Sequence, residues 1–284
     1  MGALTLLVTG AGGFLGGAVA DCARARGHRV RTVTRRPGGD VVADLAVGLP
    51  PAATDGVDAI LHCAAALTGD EGRMQRDTVQ ATRTVAATGL PVVLAGSVSV
   101  YDGMARAVDE TTPLEPRPDL RDAYTRAKIA QERAAPGACV LRIGALWDAG
   151  HLWNAHLGVF AGPLFLRIGR GEIPLAHVRN AALAMVMAAE GGWTGPVNVV
   201  DDIRPDAATF LRGVRHRELH PRYAIPLPFA AVDLAARALA PLGPRLPGLL
   251  RRPTLHARLG PRRWSNVRLH GLGWAPVAGF GGAP

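Results

Sequence analysis

The apolar run LTLLVTG (4–10) ends in a glycine and passes at once into AGGFLGG, so that Gly10, Gly13 and Gly16 fall in a TGxxGxxG arrangement. An unbroken apolar run of this length is the pattern of a strand buried on both faces of a parallel sheet. The following segment, GFLGGAVADCARARG (13–27), has helical spacing and a glycine stop. Glycine is needed at such a junction because the turn is tight, the backbone must approach a pyrophosphate, and the helix must pack closely on the strand. The helix start offers unpaired N–H groups and the positive end of a dipole to phosphates. Loose in a chain, a glycine pattern carries little weight; between a first strand and a first helix it reads as a dinucleotide cradle. Phe14 and Leu15, the first helical residues, are counted with it.

Beyond this turn, short apolar runs alternate with helix-like segments. HRVRTVT (28–34), DAILHCAA (58–65), PVVLAGS (91–97), ACVLRIG (138–144) and PVNVV (196–200) read as strands, with a helix over about 72–88. Strand and helix in alternation predict an α/β fold, a doubly wound parallel sheet of Rossmann type with helices on both faces. From about residue 145 proline and glycine become frequent and the apolar runs less regular. The expected organisation is an NADP-binding Rossmann domain over 1–145 and mainly a substrate-binding lobe over 146–284. Segments near 173–200 return to the first domain, with strands near 173–178 and 197–200 joining its sheet.

Composition narrows the class further. The chain has 284 residues, 48% of them hydrophobic, enough to bury a sizeable core. The net charge of +9 comes mostly from arginines that are scattered, with no basic block interleaved with aromatics, which argues against nucleic acid. Cys22, Cys63 and Cys139 lie far apart in apolar segments and are expected to be small buried side chains, not disulfides or zinc ligands. The start lacks the features of a signal peptide. The most apolar late stretch (224–250) is broken by prolines and charges, short of a membrane span. A cytoplasmic protein acting on a small molecule, with no metal, is the expectation.

Where an NAD site carries an acid at the end of its second strand, this chain has Thr34, followed by Arg35 and Arg36. A carboxylate would repel a 2′-phosphate, whereas a guanidinium pairs with it. NADP(H) is therefore expected, with Arg35 as the main contact and NAD(H) as the alternative. Asp44 and Leu45, after the third strand-like segment, are placed to line the adenine pocket.

In DAYTRAKIAQE, Tyr124 stands four residues before Lys128, one turn apart on one face of a helix. Spacing of this kind is common and decides nothing alone. Together with TGxxGxxG, ILHCAA, VVLAGSVSVYDG, YTRAK, LRIGALWD, IPLAHVRNAA, GPVNVV and the closing LHGLGWAP, in that order, it resembles the extended short-chain dehydrogenase/reductase family, the NAD(P)-dependent epimerase/dehydratase group. The resemblance implies Tyr124 as catalytic acid/base. It implies that Lys128 binds the nicotinamide ribose and lowers the phenol pKa, and that Ser97 bonds the substrate oxygen. It adds Cys63, Ala64, Ala65 and Ile143 to the cofactor site, and Ser99, Trp147, His151 and Trp153 to the substrate wall. Members often dimerise through a four-helix interface that includes the Tyr–Lys helix, so a homodimer is implied.

Departures from the family pattern are Gly96 for a serine, Thr78 for an asparagine with Thr82 kept, LWDAG for YG-P, and HVRN for HVxD. The last, with Arg179 and Asn180, is expected to weaken a local polar contact. His62 and His177 are expected to be structural. The acid missing after strand two and the apolar stretch 151–169 turn the resemblance toward the dihydroflavonol-reductase and 3β-hydroxysteroid-dehydrogenase side. That implies carbonyl reduction, or the reverse, on a fairly apolar small molecule. A nucleotide-sugar epimerase, dehydratase or reductase and a non-catalytic NADP-binding regulator are the alternatives.

Overall fold

The computed structural model describes residues 2–168, 171–214, 223–246 and 248–282. In chain order, β1 (Thr5–Thr9), α1 (Phe14–Ala25), β2 (Arg29–Thr34), β3 (Val41–Val42) and β4 (Ala59–His62) come first. A continuous helical stretch follows, α2 (Glu71–Met74), a π-helical segment (Gln75–Gln80) and α3 (Ala81–Ala86). Next are β5 (Val92–Ser97), β6 (Ala107–Val108), α4 (Ala123–Ala134), β7 (Cys139–Ile143) and β8 (Ala145–Trp147). The chain continues through β9 (Val159–Ala161), β10 (Leu164–Ile168), β11 (Leu175–His177), α5 (Val178–Glu190) and β12 (Gly195–Val199). It closes with α6 (Ala207–Gly213), β13 (Tyr223–Leu227), α7 (Phe229–Leu239), α8 (Arg252–Leu259), β14 (Arg263–Trp264) and α9 (Val267–Gly271).

Seven of these strands make one parallel sheet in the order β12-β7-β5-β4-β1-β2-β3. Alternate residues feed two cores. Leu6, Val8, Leu61 and Leu141 pack with residues of α1 and α5, while Leu7, Ile60, Leu94 and Val140 pack with Ala81 and Val85 of α3. Burial on both faces is why these strands read as apolar runs and not as alternating patterns. The chain runs outward from β1 through β2 to β3, then returns to β4 on the other side of β1. That reversal leaves a crevice beyond the C-terminal ends of β1 and β4, the place where such sheets bind ligands.

One expectation is corrected. The strand near 173–178 does not join the main sheet: β11 pairs in parallel with β8 as a separate two-stranded piece. The same stretch still delivers α5 to the sheet's first core. The sheet made by β9, β10 and β13 lies apart from the main one. Late in the chain, Leu269 and Trp274 return to the first core, where the Trp274 indole N–H donates to the Asn180 carbonyl at 3.2 Å. No helix among the described residues is long and apolar enough to cross a membrane.

Candidate active site

Backbone packing dictates the glycines of the first turn. Gly10 has φ +68°, and a Cβ there would lie 2.8 Å from the Ala64 backbone. A Cβ on Gly16 would lie 2.1 Å from the Gly10 carbonyl, so the helix can sit on the turn only without a side chain. Gly13 caps α1 with no side-chain hydrogen bond, and the first helical turn contains no acid. The start of α1 therefore presents backbone N–H groups that no side chain caps.

From this turn a groove of about 560 Å³ runs past the ends of β2 and β4. Gly10, Gly13, Thr34, Arg35, Arg36, Asp44, Leu45, Cys63, Ala64 and Ala65 all line it, as expected residues brought together by the switch in strand order. Asp77, which sequence reading passed over, lines it too. Arg35 pairs with Asp77 at 3.1 Å, and Arg76 bridges Asp77 and Asp44. The Arg76 hydrogen bond holds the Asp44 carboxyl below its usual range. Arg36 is exposed and forms no ion pair among the described residues, while its carbonyl accepts from the Thr34 hydroxyl at 2.7 Å.

A second cavity, about 310 Å³, is lined by Ser97, Ser99, Tyr124 and Trp153 among others. Ser97 ends β5 and accepts the Ser99 N–H at 3.2 Å. Tyr124 stands in the first turn of α4, which Asp122 caps by accepting the Thr125 N–H at 2.8 Å. Burial pushes the Tyr124 phenol above its ordinary value; a hydrogen bond with Ser97 works against the rise and the Asp122 carboxylate adds to it. In the chain by itself, then, the phenol is not lowered, although the Lys128 Nζ lies 5.9 Å from its ring centre. Lys128 is buried and donates to the Ala95 carbonyl at 2.9 Å and the Gln131 amide oxygen at 2.8 Å. Burial pushes its ammonium down to about 8, with Cys63 and Glu132 acting the other way.

Several expected residues lie outside both cavities. Leu15 and Ile143 are buried in the first core, and Gly16 packs behind the turn. Phe14 stacks on His151 with ring centres 4.0 Å apart, and His151 is exposed, bonded to Asp148. Trp147 is buried against Phe210 and Phe280 and donates to Asp201 at 2.9 Å, a packing role. Neither Trp147 nor His151 lines the cavity beside Tyr124; Asn154, Arg258 and Leu67 do. Asn180 strengthens its surroundings instead of weakening them. It donates to Asp201 and the Ala278 carbonyl and accepts from the Val277 and Ala278 N–H groups. An aspartate there would face the Asp201 carboxylate with no proton to give. Gly96 is likewise required, since a Cβ would lie 2.8 Å from Val140. Cys22 and Cys63 are half-buried and Cys139 buried, all three free.

One signal in the sequence was passed over. Lys128 is the single lysine among 32 basic residues, the other 31 being arginine. That one buried position therefore carries an ammonium in a chain that uses guanidinium everywhere else.

Residues 6–139 match the model of the NAD dependent epimerase/dehydratase family. A 3-beta-hydroxysteroid dehydrogenase from Mycolicibacterium neoaurum is 29% identical over 67% of this chain, which spans 63% of that protein's length. Among solved structures, the human epimerase family protein SDR39U1 with NADPH aligns over 98% of this chain and 97% of its own, at 22% identity and a TM-score of 0.67. MoeE5 in complex with UDP-glucose and NAD aligns over 98% and 94%, at 20% identity and a TM-score of 0.67. Just under half of the chain thus matches that family's model, and the solved structures share its Rossmann-type fold.

Proposed function

We propose that this protein is an NADP(H)-dependent oxidoreductase that reduces a carbonyl, or oxidises the corresponding alcohol, on a fairly apolar small molecule. The observation that carries this reading is a pair of cavities lined by the expected residues. A glycine turn opens a groove whose β2 end bears Thr34, Arg35 and Arg36 in place of a carboxylate, and Ser97 and Tyr124 line the second cavity. Nicotinamide supplies the hydride when bound. Tyr124 transfers the proton at its phenol oxygen, Ser97 holds the substrate oxygen, and Lys128 holds the ribose. To take a 2′-phosphate, Arg35 exchanges Asp77 for it, while Asp77 keeps Arg76. Residues 1–145 hold the cofactor, and 146–284 mainly cover the substrate. The similarity to a hydroxysteroid dehydrogenase and the Leu67, Leu146 and Trp153 side chains in the cavity wall support an apolar substrate.

A second reading, a nucleotide-sugar epimerase, dehydratase or reductase, is favoured by the guanidinium of Arg258 in the same wall and by the neighbour solved with UDP-glucose. NADPH absorbance followed with a panel of apolar ketones and with nucleotide-diphosphate sugars separates the two. Turnover of the ketones alone is expected; turnover of the sugars alone replaces the first reading by the second. Replacing both arginines, Arg35→Ala with Arg36→Ala, is expected to weaken NADPH binding by about 10- to 100-fold and NADH binding little. Equal losses for the two cofactors would remove the NADP(H) assignment.

A further inference from the structure

Behind Lys128 lies a buried polar chain that the proposed chemistry does not use. Lys128 has three N–H donors, two of which go to the Ala95 carbonyl and the Gln131 side chain. An ammonium can only donate, so the Gln131 atom that faces it is the amide oxygen. The Gln131 amide N–H then donates to the Thr82 hydroxyl oxygen at 3.0 Å, and the Thr82 proton goes to the Thr78 carbonyl at 2.7 Å. With its proton committed, Thr82 can only accept from the His62 Nε2 at 2.9 Å, so His62 carries its proton there. Its bare Nδ1 accepts from the Thr9 hydroxyl at 2.7 Å. Each of Thr9, His62, Thr82, Gln131 and Lys128 is nine-tenths buried or more. If the Gln131 amide turned over, its N–H groups would face the Lys128 ammonium, donor against donor.

We infer that Gln131 is a positioning residue for Lys128: its amide, locked from behind by Thr82 and His62, fixes the ammonium and leaves its third N–H for the ligand in the groove. This inference rests on the proposed role of Lys128. The hydrogen-bond chain ends at Thr9, the residue before Gly10, so one buried network backs both Lys128 and the glycine turn. The titratable groups that face Lys128 are His62 of β4, Cys63 just after it, and Tyr124 and Glu132 of its own helix. Glu132 is already paired with Arg142 at 2.8 Å, and burial keeps His62 neutral, its ring pushed down to about 3. Gln131 is therefore the neutral acceptor through which the state of the ammonium can be changed with least disturbance.

A single lysine makes the test direct. Lysine labelled at the side-chain nitrogen gives one side-chain signal, whose pH titration reads Lys128 alone in the full-length protein. Gln131→Leu removes an acceptor and is expected to move the midpoint down. Gln131→Glu supplies a carboxylate and is expected to move it up, each by about one unit. Both variants are expected to weaken NADPH binding, measured by fluorescence titration, by about tenfold at neutral pH. Opposite shifts from one position are not produced by simple loosening of the fold, which thermal melting monitors alongside. Midpoints and NADPH affinities that stay at wild-type values in both variants overturn the inference, even if both melt earlier. Lys128→Met separates this from the parent reading. Should it bind NADPH as tightly as wild type while the Gln131 variants still shift the titration, the ribose role of Lys128 fails and the Gln131–Lys128 coupling stands.

Discussion

Tyr124 and Ser97 share one wall of a cavity, and the phenol is held above its ordinary value by burial. Tyr124→Phe removes the proton donor and little packing volume, so turnover is expected to fall by roughly 10²–10⁴-fold. NADPH affinity should be nearly unchanged; full turnover in the variant means that another group moves the proton. Two histidines set an acid limit on stability. Burial pushes the His62 ring down to about 3 and the His156 ring to about 4. Unfolded histidine takes its proton near 6.5, so below that pH the unfolded chain binds more protons. Stability contributed by the neutral rings is complete above pH ~6.5 and falls as the pH drops toward their folded values, by about 1.4 kcal/mol per unit for each ring. Melting temperature against pH measures this, and His156→Gln is expected to flatten the slope. These residues also show how much of the site the sequence discloses. Ser97, Tyr124 and Lys128 are legible as motif members, whereas Gln131 and Thr82 gain their partners only when α3 and α4 pack side by side.

Among the elements, α1 packs on the glycine turn and α4 carries Tyr124 and Lys128. Both start at positions that the sequence marks, a glycine turn and Asp122. Gly16→Ala forces a Cβ against the Gly10 carbonyl, so the turn and the helix must separate. NADPH affinity is expected to fall by more than tenfold, and an unchanged affinity would show that the turn is not the phosphate site. Asp122→Ala removes the cap of α4 and is expected to cost about 1 kcal/mol of stability by denaturant titration. It also leaves Arg258 without the carboxylate it now pairs with, directly at the cavity. Pattern reading misplaces one short element, β11. β11 is three residues long and pairs with β8, and nothing in a run of that length says which edge it will meet.

Across the whole molecule, the last described turns close the first core. Trp274 is fully buried there, far in sequence from the strands it covers, and joins the C-terminal segment to α5 through Asn180. Trp274→Ala is expected to destabilise the protein by about 3–5 kcal/mol, as truncation of a large buried ring does. Thermal melting checks it, and a loss under 1 kcal/mol would mean that this segment is not part of the cooperative unit. The closing LGW in the sequence marks this residue as a motif member. It does not reveal which core the ring enters.

By itself the sequence determined the parallel α/β sheet, because strands buried on both faces must be apolar throughout. It also marked the glycine turn, because only glycine lets a helix approach a strand that closely. It placed Ser97, Tyr124 and Lys128 as a set. Tertiary structure decided the rest, since ion pairs and cavity walls depend on side chains distant in sequence. It engaged Arg35 with Asp77 and left Arg36 exposed, and it moved Trp147 into packing and Asn154 and Arg258 to the cavity wall. Only the packed fold set Gln131 behind the one lysine, because a buried donor must find its acceptor wherever the chain brings one within reach.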